Sequence, residues 1–380
     1  MDFTFTEEQQ MLQDTTRRFV ARDYTFETRR QRLAAAREGR ADRKVWQGLA
    51  DLGVLALNVP EEDGGLGGNA IDTLLVMGAL GEGLVLEPFL SSAVLSTRAL
   101  ATMGSAAQKE SMLPALAAGE TVVVFAHDEA ASRFDWKAIE TSAREDEGSY
   151  VLNGRKSMIA YAPNADVLLV TARIQGPDQP GAMAVFAVPH NAPGMRIVRT
   201  PMVDGAIAGE IVLEDVTLPA QALLGESTED AESRIADVLD AGIAAVCAEA
   251  VGALDKLLAA TVEYARTRKQ FGVPIGKFQA LQHRMADMVL HIEQARSMSY
   301  LAAVRCTDPD LKQRRHDLSA AKVIVGQACR FVGQQAVQLH GGMGVTDELD
   351  VSHYFKRLMA IEMEFGSTDV HLEQVAASLG

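Results

Sequence analysis

Apolar residues recur at helical spacing through the first part of the chain. Thr6 and Gln9 form a capping-box pair, and Met11, Leu12, Phe19 and Val20 follow at roughly a 3.6-residue period. A second helix is predicted near Arg43 to Leu52, stopped by Gly53. The stretch VPEEDGGLGG, Val59 to Gly68, is too rich in glycine for a helix. Helical patterns resume from Ile71 and again near Gln108 to Ala117. Near Thr121 the period changes. TVVVFAHDE is β-branched, and GSYVLNGRKSMIAYA places Asn153-Gly154 between two apolar segments, which predicts a hairpin turn there. ADVLLVTARI, AMAVFAVP, MRIVRTP and EIVLEDV read as further short strands. From about Ser227 long helices return. Arg234 to Gln270 is interrupted only by Gly242 and Gly252 and ends at Gly272, with Pro274 beyond. Leu281 to Arg305 and Leu311 to Leu339 follow, then two shorter helices. The predicted domains are 1–120, helical; 121–226, β; and 227–380, helical.

Composition narrows the function classes. With 48% hydrophobic and 23% charged residues, the chain has the balance of a globular enzyme. A net charge of −15 argues against a nucleic-acid binder, which needs a basic face. Cys247, Cys306 and Cys329 are widely spaced and lack a metal-ligand pattern, so inert thiols in a reducing cytoplasm are expected, and no metal. The opening MDFTFTEEQQML lacks the basic and apolar regions of a signal peptide. No window approaches the roughly 20 apolar residues of a membrane span.

Two C-terminal segments carry chemistry. YARTRKQFGVPIGKFQALQ, Tyr264 to Gln282, brings Arg266, Arg268 and Lys269 to a helix end. Cations favour a helix C-terminus on general grounds, which by itself accounts for a basic last turn. QLHGGMG, Gln338 to Gly344, ends a long helix on paired glycines that permit close approach to the backbone. Together with the N-terminal TEEQQML and the VPEEDGGLGG loop, these phrases resemble the acyl-CoA dehydrogenase family along essentially the whole chain. The resemblance implies an α+β fold: an N-terminal helical domain, a central β-barrel or sandwich module and a C-terminal four-helix bundle. It implies FAD as cofactor. Arg268, Gln270, Phe271 and Gln279 match positions that meet the flavin nucleotide, with Arg268 on the diphosphate of FAD held mainly by a neighbouring subunit. Gln338, Gly341 and Gly342 match the adenine and diphosphate end. It also implies an acyl-CoA thioester as substrate, a role in β-oxidation or related lipid degradation, and an electron-transfer flavoprotein as electron acceptor.

The chain departs from that family where the proton is removed. The usual glutamate falls at Phe365, before Gly366-Ser367, and the alternative position on the long helix falls at Gly242, followed by Ile243. Glu364 is the remaining candidate for the base. The usual Thr-Glu-Pro-Gly-x-Gly-Ser-Asp cradle is replaced by HDEAASRFDW, in which Ser132 matches the serine and is a candidate substrate contact. Where relatives read Trp-Ile-Thr-Asn, this chain has Met158-Ile159-Ala160-Tyr161. These departures resemble the small, base-deficient subunits of heteromeric acyl-CoA dehydrogenases. An α2β2 heterotetramer with a related chain is therefore expected over a homotetramer. A non-catalytic partner subunit, a self-sufficient enzyme using another carboxylate, and a flavin oxidase or monooxygenase on the same scaffold stay open.

Overall fold

The computed structural model describes residues 5–39, 43–175 and 181–379, so Met1–Thr4 of the polar N-terminal stretch lie outside it. Contacts group the chain into two compact units. One comprises Met1–Gln31, Ala70–Leu86 and Ile243–Gly380; the other comprises Arg32–Asn69 and Glu87–Gly242.

The N-terminal helices are α1 (Glu7–Asp23), α2 (Phe26–Arg37), α3 (Lys44–Asp51), α4 (Ala70–Gly83), α5 (Thr97–Met103) and α6 (Ala106–Ala117). The capping box forms as predicted: Gln9 N donates to Thr6 Oγ1 at 3.2 Å and Thr6 N to Gln9 Oε1 at 3.1 Å. Phe19 and Val20 are buried, whereas Met11 is 65% exposed. Helix α2 escapes the hydrophobic pattern because FETRRQRLAAAR is dominated by charge, with only Leu33 and Arg29 buried on it. A π-helix, Phe89–Ser96, packs on the first strand and is also absent from the pattern.

The second unit is built on a sheet of β1 (Val123–Ala126), β2 (Ser142–Asp146), β3 (Ser149–Ala160), β4 (Val167–Ile174), β5 (Met183–Pro189), β6 (Met195–Pro201) and β7 (Ile207–Pro219). The order is β1-β4-β2-β3-β7-β6, with β5 antiparallel on β4. The predicted turn at Asn153-Gly154 is corrected. Strand β3 runs through it, and the two-residue turn is Glu147-Gly148, at φ 48° and 83°. Asn153 instead binds across to β7. Its Nδ2 donates to Asp215 Oδ1 and its Oδ1 accepts from Asp215 N, both at 2.9 Å. Gly154 sits at a bulge where a Cβ would lie 2.6 Å from Thr141 Cα. The glycine serves close strand approach rather than chain reversal.

The first unit is a helical bundle of α7 (Ala231–Thr267, from Ile243 onward), α8 (Gln279–Arg305), α9 (Leu311–His340), α10 (Asp350–Met363) and α11 (Thr368–Ser378). Helix α9 packs against α8, α10 and α11. Small residues let α4 and α7 touch backbone to backbone. A Cβ on Gly252 would fall 1.9 Å from Gly78 O, and one on Gly81 would fall 2.2 Å from Glu249 O. The core includes Val246, Leu254, Met288, Val325, Val332 and Leu358. The long helix ends at Thr267, earlier than its pattern suggested. Lys269–Gln270 (β8) pairs with Val273–Pro274 (β9), and Phe271 and Gly272 form the turn at φ 54° and 81°. Helices, a curled sheet and a bundle in that order give the α+β architecture expected from the sequence.

Candidate functional site

Helix α7 delivers Arg268 to the base of the β8–β9 ribbon, where Arg268 O accepts from Ile275 N at 2.8 Å. The Arg268 side chain is exposed and makes no ion pair among the described residues. Gln270 and Gln279 are also exposed, and Phe271, 92% exposed at the ribbon tip, meets Phe278 edge-on at 6.1 Å. Such an aromatic gains nothing from folding of the isolated chain, so it suits contact with another molecule.

The end of α9 lies beside this segment. Tyr264, one turn before Arg268, stacks on His340 with centroids 4.3 Å apart, and Tyr264 Oη donates to His340 O at 3.4 Å. His340 Nδ1 donates to Ala336 O at 2.8 Å, and burial pushes its pKa down. The next residues are Gly341 and Gly342, both exposed, and a Cβ on either would meet nothing within 4 Å. Gln338 is exposed in the turn before them. An exposed guanidinium with no ion pair among the described residues, on a helix joined to an open, side-chain-free turn through the Tyr264–His340 stack, fits a diphosphate-bearing nucleotide cofactor. Of the seven residues chosen from sequence, Arg268, Gln270 and Phe271 lie on or beside the ribbon, Gln279 begins α8, Gln338 is in the last turn of α9, and Gly341 and Gly342 follow it. The Tyr264–His340 stack joining the two motifs was missed. Two aromatics separated by 76 positions leave no local signal.

Phe365 follows α10 in a left-handed conformation, φ 58°, with Gly366 at φ 111°. It is half-buried and packs on the bundle core. Glu364 faces Arg357, whose Nη1 donates to Glu364 Oε1 at 2.6 Å. The same guanidinium donates from Nε and Nη2 to the buried Glu249 at 2.6 and 2.8 Å. Lys322 is wholly buried behind the turn, and burial lowers its pKa. His371 Nε2 donates to Phe365 O at 3.0 Å, and burial holds this histidine at about 4. Glu362 accepts from Thr368 N at 3.1 Å and from Arg330 at 2.8 Å. Gly242 lies within α7, in the other compact unit.

In the sheet unit, Ser132 Oγ donates to Glu129 O at 2.8 Å, which ties that hydroxyl into its own turn. Arg133 and Phe134 follow at φ 47° and 72°. Ala160 is exposed, and Met158 is 53% exposed at φ 60° beside a break in the β3–β7 register. Burial near Glu87 pushes Tyr161 up to about 12. Beneath this surface lies an ion pair that sequence reading missed. Lys156, 0% exposed, donates to Glu129 Oε1 at 2.7 Å, Thr171 Oγ1 at 2.9 Å and His127 O at 3.1 Å. Burial drags Lys156 down to about 8 against the pull of Glu129. Burial raises Glu129, but the Lys156 charge and the hydrogen bonds from Lys156, Thr141 and Glu140 outweigh it and hold the carboxyl below its ordinary value. A lysine inside an apolar strand pattern was the available signal.

A cavity of about 40 Å³ lined in part by Arg17, Glu82, Asp255 and Ser299 has room for water alone and includes none of these site residues. The three cysteines are buried and free. Among the described residues, no helix is long and apolar enough to cross a membrane.

Helices, curled sheet and bundle in this order define the flavoprotein dehydrogenase type of fold. The models for the acyl-CoA dehydrogenase N-terminal, middle and C-terminal domains match residues 6–120, 125–216 and 233–380. The probable acyl-CoA dehydrogenase YngJ of Bacillus subtilis (strain 168) is 31% identical over 390 residues, spanning 100% of both chains. A chain of the ChsE4–ChsE5 complex from Mycobacterium tuberculosis is similar with a TM-score of 0.87 at 28% identity, covering 100% of this chain and 99% of that one. Butyryl-CoA dehydrogenase from Megasphaera elsdenii gives 0.88 at 26% identity over 100% of each. The chain belongs to the acyl-CoA dehydrogenase family, whose members are FAD-dependent oxidoreductases acting on acyl-CoA.

Proposed function

We propose that this chain is an FAD-binding subunit of a heteromeric acyl-CoA dehydrogenase, in which a related chain supplies the carboxylate that takes the α-proton. The reading is supported by the turn at Phe365, which the resemblance aligns with the family's base, held at φ 58° with Glu364 engaged by Arg357. An α-proton of a thioester needs a positioned base, and neither an apolar ring nor an arginine-bound carboxylate serves well. Arg268, Gln270, Phe271, Gln279, Gln338, Gly341 and Gly342 would hold the nucleotide end of FAD, with the arginine on its diphosphate. When bound, FAD supplies the hydride acceptor. The Phe365 N–H would donate to the thioester oxygen, so this chain polarises the substrate without deprotonating it. The similar ChsE4–ChsE5 structure is itself a complex of two named chains, which supports a heteromer. An electron-transfer flavoprotein is the expected acceptor of the electrons.

The test is an anaerobic spectrum of the purified chain, alone and with a co-encoded homologue that carries the glutamate, before and after a panel of acyl-CoAs. The proposal expects bleaching of the flavin band only with the homologue present. Bleaching by the chain alone refutes the dependence on a partner and returns Glu364 to consideration, which Glu364→Gln would then decide. Phe365→Glu is expected to confer or raise dehydrogenation in the isolated, flavin-loaded chain. A folded variant that binds a thioester and never turns over contradicts that expectation.

A further inference from the structure

The turn at Phe365 is gripped by its carbonyl oxygens. Lys322 Nζ, on α9, donates to Ile361 O at 2.9 Å and to Glu362 O and Gly366 O at 3.0 Å each. Ile361 and Glu362 belong to the last turn of α10, where carbonyls lack helical partners and the dipole attracts a cation. A wholly buried ammonium is tolerated only when its donors are satisfied, and these three acceptors satisfy it. His371 holds the fourth carbonyl, Phe365 O, from α11. Because a carbonyl can only accept, Nε2 carries the proton, and Nδ1 lies 3.1 Å from Ser319 Oγ. Ser319 stands three residues before Lys322, on the same face of α9. One helix face therefore anchors both sides of the turn, directly through Lys322 and indirectly through His371.

The amides divide differently. Glu364 N donates to Ala360 O and Gly366 N to Met363 O, while no backbone acceptor among the described residues takes the N–H of Phe365. The residue that keeps a free donor is also the one held at φ 58°, a conformation costly for a residue with a β-carbon and kept only where its surroundings enforce it. We infer that Lys322, with His371 behind it, is a positioning residue that fixes the Phe365 N–H as the donor to a thioester carbonyl oxygen. The chain thereby keeps the polarising half of the site although the carboxylate is gone. The inference rests on the acyl-CoA reading above and extends it to two residues.

The test uses the FAD-loaded protein in its native assembly and 2,4-hexadienoyl-CoA, a slender conjugated thioester whose absorption moves to the red when its carbonyl is polarised. The wild type is expected to bind it with a red shift. In Lys322→Met the shift should fall by half or more, while affinity falls by about tenfold or less, the scale of one hydrogen bond. Ser319→Ala, which removes the hydroxyl that meets His371 Nδ1 and also donates to Gln374 Oε1 at 2.8 Å, should give a smaller loss of shift; it decides the matter if Lys322→Met fails to retain flavin. A merely structural role would lower flavin content or affinity and leave the shift of bound ligand unchanged. A full shift in the flavin-loaded variants overturns the inference and leaves the acyl-CoA reading standing, as does a wild type that binds without any shift. A wild type that does not bind the thioester overturns both.

Discussion

Acidification from pH 7 to pH 5 should destabilise both compact units through one buried histidine in each. His371, in the bundle unit, is 2% exposed and is pushed to about 4 by burial first and then by Lys322. His127, in the sheet unit, is 4% exposed and is pushed to about 3 by burial and then by Lys156. Unfolded, each takes up its proton near its ordinary value of 6.5. The unfolded chain thus binds protons before the folded one does. The stability these groups contribute is complete above about pH 6.5 and is lost as pH falls through the window toward 4 and 3. At pH 5 the unfolded imidazoles are almost fully charged and the folded ones almost fully neutral, so each of these two histidines contributes a loss of about 2 kcal/mol relative to pH 7. Glu129 and Glu362, both held below the ordinary 4.5, begin to lose their contribution only below that pH, outside the window. The assay is urea unfolding between pH 7.5 and 5, at fixed protein and FAD concentrations because both shift apparent stability. It compares the wild type with His371→Gln and His127→Gln. Each variant should start less stable at pH 7.5 and lose about 2 kcal/mol less on acidification, since the variant has nothing to protonate there. Wild-type and variant curves that stay parallel across the window would refute the assignment of buried neutral histidines. The half-buried His340 and His353, also lowered by burial, are common to all three proteins and cancel.

Three further perturbations test other parts of the structure. Arg268→Ala should weaken FAD retention on dilution, followed by flavin fluorescence; unchanged affinity in the assembled protein would contradict a phosphate contact. Lys156→Met leaves Glu129 charged and buried without its partner, so a loss of about 3–5 kcal/mol in urea unfolding is expected, with part regained in the double variant Lys156→Met, Glu129→Gln. Gly252→Ala forces a Cβ to within 1.9 Å of Gly78 O, where backbone rather than a mobile side chain must give way. A cost of about 1–3 kcal/mol follows for overpacking, and a neutral effect would show that α4 and α7 are free to separate.

The element order was legible because each period persists over many residues. Alternation and β-branching marked the strands, and the 3.6-residue spacing marked the bundle. Local errors arose where a strong short-range signal met a long-range contact. Asn153-Gly154 has hairpin chemistry, yet Asn153 is taken by Asp215, which lies 62 positions away. Helix α2 carries too few apolar residues to announce itself, although Arg29 on it is 2% exposed and donates to Leu84 O at 3.1 Å. The candidate cofactor residues could be chosen from sequence because the ribbon and the glycine turn are contiguous phrases, each complete within a few residues.

The groups behind Phe365 were hidden for the opposite reason. Lys322 lies 44 positions from Gly366, and Arg357 lies 108 from Glu249; in a helical pattern each reads as an ordinary solvated cation. Their placement also shows how the side chain at position 365 can vary without the turn collapsing. Lys322 and His371 grip Ile361, Glu362, Phe365 and Gly366 through carbonyl oxygens, which every residue type possesses. None of these four bonds touches the side chain at position 365. An aromatic ring can therefore occupy this register while the backbone stays anchored, so the identity of the side chain and the geometry of its N–H are independent variables in this fold. On the proposed reading, loss of the carboxylate would remove a reagent and leave its mounting in place.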